Sequence, residues 1–156
     1  MSQIEQRLEE LGIQLPAPAQ PVASYLPAVE IGGFLHVSGQ ISMEQDGSLI
    51  VGRLGEDFNL ERGQAAARRC GIMLIAQMKA ALGDLDRVEK IVKLGGFVNS
   101  TPDFTDQPKV INGASDLMQE VFDEAGRHAR SAVGVNTLPL GVAVEVDAIV
   151  KVRDAA

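Results

Sequence analysis

An arginine opens a run of small and apolar residues, Arg130-Ser-Ala-Val-Gly-Val135, and a glutamate sits among valines in Val144-Glu-Val-Asp147. A guanidinium placed in such a run must meet an anion, because a buried unpaired charge costs several kcal/mol. Its planar fork of donors suits a carboxylate, from an Asp or Glu of this chain or from a bound ligand. Spacing alone leaves both open. Glu145 is expected to hold its proton more tightly than an exposed carboxyl and to be able to pass it on. An internal ion pair is its structural alternative, and Asp147, on the same strand face, is an equally placed competitor. A third stretch, Ser38-Gly39-Gln40-Ile41, follows a strand carrying Tyr25. A glycine there exposes backbone amides and lets a ligand come close, though the same residues also describe a strand running into a turn.

Other reactive side chains offer less. His36 lies between Leu35 and Val37 in a strand. His128 precedes Arg130 by two, so the two can share a face; neither histidine is assigned to catalysis. Cys70 is the one cysteine. It falls inside a helical pattern, reads as a small buried hydrophobe and excludes an intrachain disulfide. With two histidines it is too little for a Cys-based zinc site, and no metal or cofactor is expected. No Gly-x-Ser-x-Gly elbow, P-loop or dinucleotide fingerprint is present.

The elements that position these residues follow from periodicity. Residues 2–12 read as an amphipathic helix capped by Ser2 and ended by Gly12, with Ile4, Leu8 and Leu11 as its apolar edge. The Pro-rich segment 15–21 is an extended tether, which divides the chain into residues 1–20 and a single domain over 21–156. Strands are predicted over 24–30 and 34–41 around the turn Ile31-Gly32-Gly33, with a short one over 48–51. Residues 59–82 form the main helix. Asn59 caps it, and Ala66, Cys70, Met73, Leu74, Met78, Ala81 and Leu82 form its buried stripe. A strand over 88–98, a helix over 106–124 and strands over 130–138 and 142–153 complete the chain. Two main helices on a mixed sheet make an α+β two-layer sandwich. The last strand has small or apolar residues on both faces, so a second subunit is expected to cover the open side.

The chain of 156 residues carries a net charge of −7, no cationic cluster longer than Arg68-Arg69, no Trp and one Tyr. Nucleic-acid binding rests on clustered cations and stacking aromatics, so no nucleic-acid partner is expected. No apolar run reaches the roughly 18–20 residues that span a bilayer. No secretory leader pattern is read, and the cytoplasm is the expected location.

If Leu138 and Gly141 flank a two-residue hairpin turn, Arg130, Ala132, Gly134, Glu145 and Asp147 share one sheet face. Arg130 and Glu145 are then offset by four residues, roughly 13 Å at the usual strand rise. One small molecule cannot easily touch both within one chain, so Glu145 would act with the Arg130 of a neighbouring subunit.

The segments Tyr25-Leu-Pro-Ala-Val-Glu-Ile-Gly32, Val37-Ser-Gly-Gln-Ile41, Ala129-Arg-Ser-Ala-Val-Gly-Val135 and Leu138-Pro-Leu-Gly-Val-Ala-Val-Glu-Val146 resemble the Rid (YjgF/YER057c/UK114) family of reactive intermediate deaminases over about residues 20–152. The resemblance implies a chorismate mutase-like fold and a homotrimer with ligand clefts between subunits. It implies that Arg130 binds a substrate carboxylate and Glu145 positions the attacking water, while Tyr25, Ser38, Gly39, Asn112 and Ala132 line the cleft. The activity implied is that of a hydrolase acting on C–N bonds. It converts small enamine or imine carboxylates, such as 2-aminoacrylate, to 2-keto acids and ammonia without a cofactor. The alternative is a module that binds small carboxylates in that cleft without turnover. Ribonuclease activity, also attached to this family, fits the charge least. Many members have Cys where this chain has Ala132, the stretch 100–112 is longer than in compact members, and the first 20 residues are extra. These features mark a divergent subgroup.

Overall fold

The computed structural model describes residues 2–18, 20, 21 and 23–155, so Ala19 of the Pro-rich segment lies outside the described residues. The order is α1 (Gln3–Glu10), β1 (Ala28–Ile31), β2 (Phe34–Ile41), α2 (Leu60–Leu82), β3 (Val88–Asn99), α3 (Gln107–Phe122), β4 (Ala129–Val135) and β5 (Val144–Val152). The expected α+β class holds, with a mixed sheet and three helices. The predicted strand at 48–51 reduces to two isolated bridges, Met43 with Leu49 and Val51 with Val142.

Local chemistry sets the helix ends. The Asn59 side chain accepts from the Arg62 amide at 2.8 Å, and Gly83, at φ 77°, ends α2 in a conformation that side chains disfavour. Ser2 and Glu5 close a reciprocal capping box on α1. Helices α2 and α3 cover one sheet face with a continuous apolar core that includes Leu74, Ile75, Met78, Val110, Leu117 and Met118. They pack closely at Gly113, where a Cβ would fall 2.0 Å from the Gln64 carbonyl oxygen. Cys70 is fully buried there, as expected.

Helix α1 packs on this helix layer. Leu8 is 3% exposed within the core, the Asp86 carboxylate accepts from the amides of Gln3 and Ile4 at 3.0 Å each, Arg7 Nε donates to the Glu120 carbonyl at 2.9 Å, and Glu5 pairs with Lys79.

The sheet runs β1-β2-β5-β3-β4. All pairs are antiparallel except β3 with β4, which are parallel. This corrects the hairpin premise: β4 and β5 are not neighbours, because β3 lies between them. The reason is the β3-α3-β4 crossover. A helix joining two strands of one sheet returns the chain to the same end, so the second strand lies parallel beside the first. Residues 138–141 then span the end of β3 instead of closing a two-residue turn, and Gly141 O accepts from Gly52 N at 3.2 Å.

The shared face is corrected with it. Arg130 lies in the row of Leu94 and Ala148, whose side chains are buried under the helices. Ala132 pairs with Gly96 on that same face. Glu145 and Asp147 alternate with the buried Val144, Val146 and Ala148 and therefore face the open side.

Candidate functional site

The expected residues fall into two groups, one around Glu145 on the open face of the sheet and one around Arg130 on the helix face. The first surrounds a cleft of about 540 Å³ lined by Tyr25, Ser38, Gly39, Gln40, Gln77 and Glu145, among others. A β-bulge builds it. Between Val37, opposite Ala148, and Gln40, opposite Val146, the two residues Ser38 and Gly39 face a single position of β5. Such a bulge re-aims the local side chains and frees backbone groups from the ladder. A Cβ on Gly39 would lie 2.2 Å from Glu145 Oε2, so the carboxyl group occupies space that only glycine leaves. Ser38 Oγ donates to Leu26 O at 2.8 Å, which commits its proton and leaves the oxygen as an acceptor toward the cleft.

Glu145 is half-buried, and burial raises its pKa, with a further push from the negative charge of Asp147. Asp147 is raised by burial as well, partly offset by a hydrogen bond from the Gly95 amide. The two differ in position: Glu145 lines the cleft, whereas Asp147 lies over Gly95. Gln40 and Gln77 are buried cleft residues that periodicity had not singled out as a pair. Gln77 sits in the apolar stretch of α2, and an amide in that stretch was the available signal. Its Nε2 lies 3.5 Å from Gln40 Oε1, and Gln40 Nε2 donates to Ser38 O at 3.0 Å.

The second group surrounds a shallower concavity of about 240 Å³ where β4 meets α3. Arg130 Nη1 donates to Asn112 Oδ1 at 2.8 Å and to Ser115 Oγ at 3.1 Å. These bonds use both Nη1 hydrogens. Among the described residues no carboxylate lies within ion-pair distance of Arg130. The internal ion pair left open by the sequence is therefore not formed, and Nε–H with Nη2 presents a two-donor edge that suits a carboxylate. Asn112 lies beside Arg130 in this concavity and not in the cleft with Tyr25, Ser38 and Gly39. Ser115 and His128 also line this concavity, and His128 Nε2 lies 2.9 Å from Ser115 Oγ. The two-residue spacing was the sequence signal that His128 and Arg130 share a face, and both line this concavity. Ala132 packs against the core one alternation beyond Arg130. His36 is exposed on the opposite face.

Among the described residues no three His, Cys, Asp or Glu side chains gather as a metal site, and no helix is long and apolar enough to cross a membrane.

A family model described as YjgF/chorismate mutase-like, putative endoribonuclease, matches residues 5–150. The match takes in α1 from Glu5 onward, so most of the N-terminal helix is part of the shared pattern. The chain is 54% identical over 148 residues to Protein TCP17 of Trypanosoma cruzi, covering 94% of this chain and 92% of that protein. It is 28% identical to a 2-iminobutanoate/2-iminopropanoate deaminase of Dermatophagoides farinae, over 90% and 95% of the two chains. Among solved structures, a protein of unknown function from Agrobacterium tumefaciens, Atu1372, is 46% identical with a TM-score of 0.89, over 96% of this chain and 92% of that one. A putative endoribonuclease from Shewanella oneidensis is 36% identical with a TM-score of 0.92, over 96% and 99%.

Proposed function

The chain belongs to the Rid (YjgF/YER057c/UK114) family, and from that premise we propose that it hydrolyses small enamine or imine carboxylates to 2-keto acids and ammonia. The observation that carries this reading is the Arg130 guanidinium, held on Nη1 by Asn112 and Ser115 with its Nε–Nη2 edge free of any carboxylate of the described chain. That edge accepts the substrate carboxylate. The similarity to an iminobutanoate/iminopropanoate deaminase supports the choice of reaction.

In the reaction, the enamine takes a proton on its terminal carbon to become the imine. Water adds to the imine carbon, and the carbinolamine expels ammonia to leave the keto acid. Glu145, a half-buried carboxyl with a raised pKa, orients the water and accepts and returns its proton. No cofactor takes part, and the cytoplasm is the setting.

Arg130 and Glu145 act together across a subunit boundary in a homotrimer. Support comes from the open sheet face, where Val29 and Ile31 on one edge strand and Val133 on the other are 45%, 67% and 46% exposed, with Glu145 and Asp147 on the central strand between them. Apolar side chains so exposed on one sheet face mark an interaction surface. The test is ammonia release from 2-aminoacrylate generated in situ. Wild type accelerates it over the spontaneous rate, and Arg130→Ala returns it to that rate. Equal acceleration by both proteins would remove Arg130 from the mechanism. Saturable binding of a 2-keto acid without turnover would identify a binding module instead.

A further inference from the structure

We propose that His128, acting through Ser115, is a positioning residue that fixes the orientation of the Arg130 guanidinium. The inference rests on the reading of Arg130 as the carboxylate clamp and adds what holds that clamp in place.

Donor and acceptor roles are forced along the chain of contacts. The Gly126 carbonyl can only accept, so at 2.7 Å it takes the Nδ1 proton of His128. In the neutral ring Nε2 is then an acceptor, 2.9 Å from Ser115 Oγ. Arg130 can only donate, so Ser115 Oγ accepts from Nη1 and sends its single proton to His128 Nε2. Every donor and acceptor in the chain then has a partner, with Ser115 Oγ accepting on one side and donating on the other. Without the histidine acceptor, the Ser115 hydroxyl is free to turn toward the α3 carbonyl one turn back, as helical serines do. The oxygen then no longer holds Nη1, and the guanidinium keeps Asn112 as its remaining anchor.

The charges around the ring favour the neutral form that this arrangement needs. Arg130 follows at the start of β4 and Lys90 approaches from β3, while Arg127 and, from α3, Asp116 line the same concavity. Burial first, then the two cations Arg130 and Lys90, lower the His128 pKa against an opposing hydrogen bond to Gly126. Protonation would make Nε2 a second donor toward Ser115 and break the relay.

The experiment compares His128→Leu, His128→Gln, Ser115→Ala and the Leu/Ala double variant. Each is assayed for turnover of in situ 2-aminoacrylate and for calorimetric binding of 2-oxobutanoate. His128→Leu should raise KM and Kd about fivefold to tenfold, the worth of about one net hydrogen bond, with kcat changed far less. His128→Gln, which keeps an acceptor for Ser115, should recover most of the loss. In the Ser115→Ala background, His128→Leu should cost nothing more. The wild-type KM should rise as pH falls through the His128 pKa, and that rise should disappear in His128→Gln.

Nitrogen-15 spectra of His128 supply a readout independent of turnover and of folding changes in the variants, with Nδ1 protonated and Nε2 bare at neutral pH. An Nε2-protonated ring, or additive losses in the double variant, overturns the proposal. If Arg130→Ala abolishes binding while His128→Leu and Ser115→Ala leave it intact, the clamp stands and the relay falls. If Arg130→Ala leaves binding intact, the clamp reading falls and the relay with it.

Discussion

Arg130 and Glu145 stand on opposite faces of one sheet, with β3 running between their strands. Neither side chain can swing through a hydrogen-bonded sheet to meet the other. A ligand touching both must therefore take one of them from a second copy of the chain.

Complementation tests this directly. Arg130→Ala and Glu145→Ala are each expected to be inactive. When they are unfolded and refolded together, about a quarter of the intersubunit sites should pair an intact Arg130 with an intact Glu145. Recovery of roughly that share of wild-type ammonia release is the expected result. No recovery, with mixed oligomers verified by mass spectrometry, would argue against a shared site.

The free edge of Arg130 is a two-donor fork, and lysine cannot reproduce it while keeping the charge. Arg130→Lys should raise KM about tenfold to a hundredfold, the range expected when charged hydrogen bonds of about 1.5–3 kcal/mol are lost. Steady-state kinetics on the imine substrate measure it.

A methyl group at position 39 would collide with the Glu145 carboxyl, which is the far end of a flexible side chain and can move aside. Gly39→Ala should therefore cost less than about 1 kcal/mol of stability, well below the usual cost of overpacking a core. It should lower kcat on the order of tenfold or more, since the displaced carboxyl no longer orients water. Comparing urea midpoints with kcat separates the two effects. In a Glu145→Ala background the same substitution should have no effect on the residual rate.

The raised pKa of Glu145 links stability to pH. Burial, then the charge of Asp147, favours the protonated carboxyl in the folded state. Ionisation therefore carries a penalty that is absent below the unfolded-state pKa and complete above the folded-state pKa, so stability falls as pH rises through that window. Glu145→Gln removes the ionisation. It should be more stable than wild type at neutral pH and lose that advantage in acid below the usual carboxylate range. Denaturant midpoints across pH check the sign, and turnover should be lost throughout.

Helix α1 is fastened to the helix layer by Leu8, which is 3% exposed, and by the Asp86 carboxylate at its first amides. Leu8→Ala should destabilise the protein by about 2–3 kcal/mol. Because Leu8 lines neither the Glu145 cleft nor the Arg130 concavity, kcat and KM below the melting range should stay within about twofold of wild type. A larger kinetic effect would mean that α1 reaches the site.

Much of this was legible in the residues themselves. The capping serine and asparagine, the 3.6-residue stripe of α2 and the alternation of β5 depend on neighbours within a turn or two, so periodicity suffices to place those elements. Arg130, Glu145, Ser38 and Gly39 stood out because a charge among apolar residues, or a glycine ending a strand, has few structural uses. What the sequence could not decide was which strands are neighbours. The stretch 138–141 carries the residues of a tight hairpin, yet the β3-α3-β4 crossover makes β4 the edge strand parallel to β3 and sends residues 138–141 across the strand end. That one long-range pairing moves Arg130 to the helix face and leaves Glu145 on the open face. It also brings Asn112, Ser115 and His128 around the guanidinium. Strand order depends on contacts between residues far apart in the chain, and local composition carries no record of them.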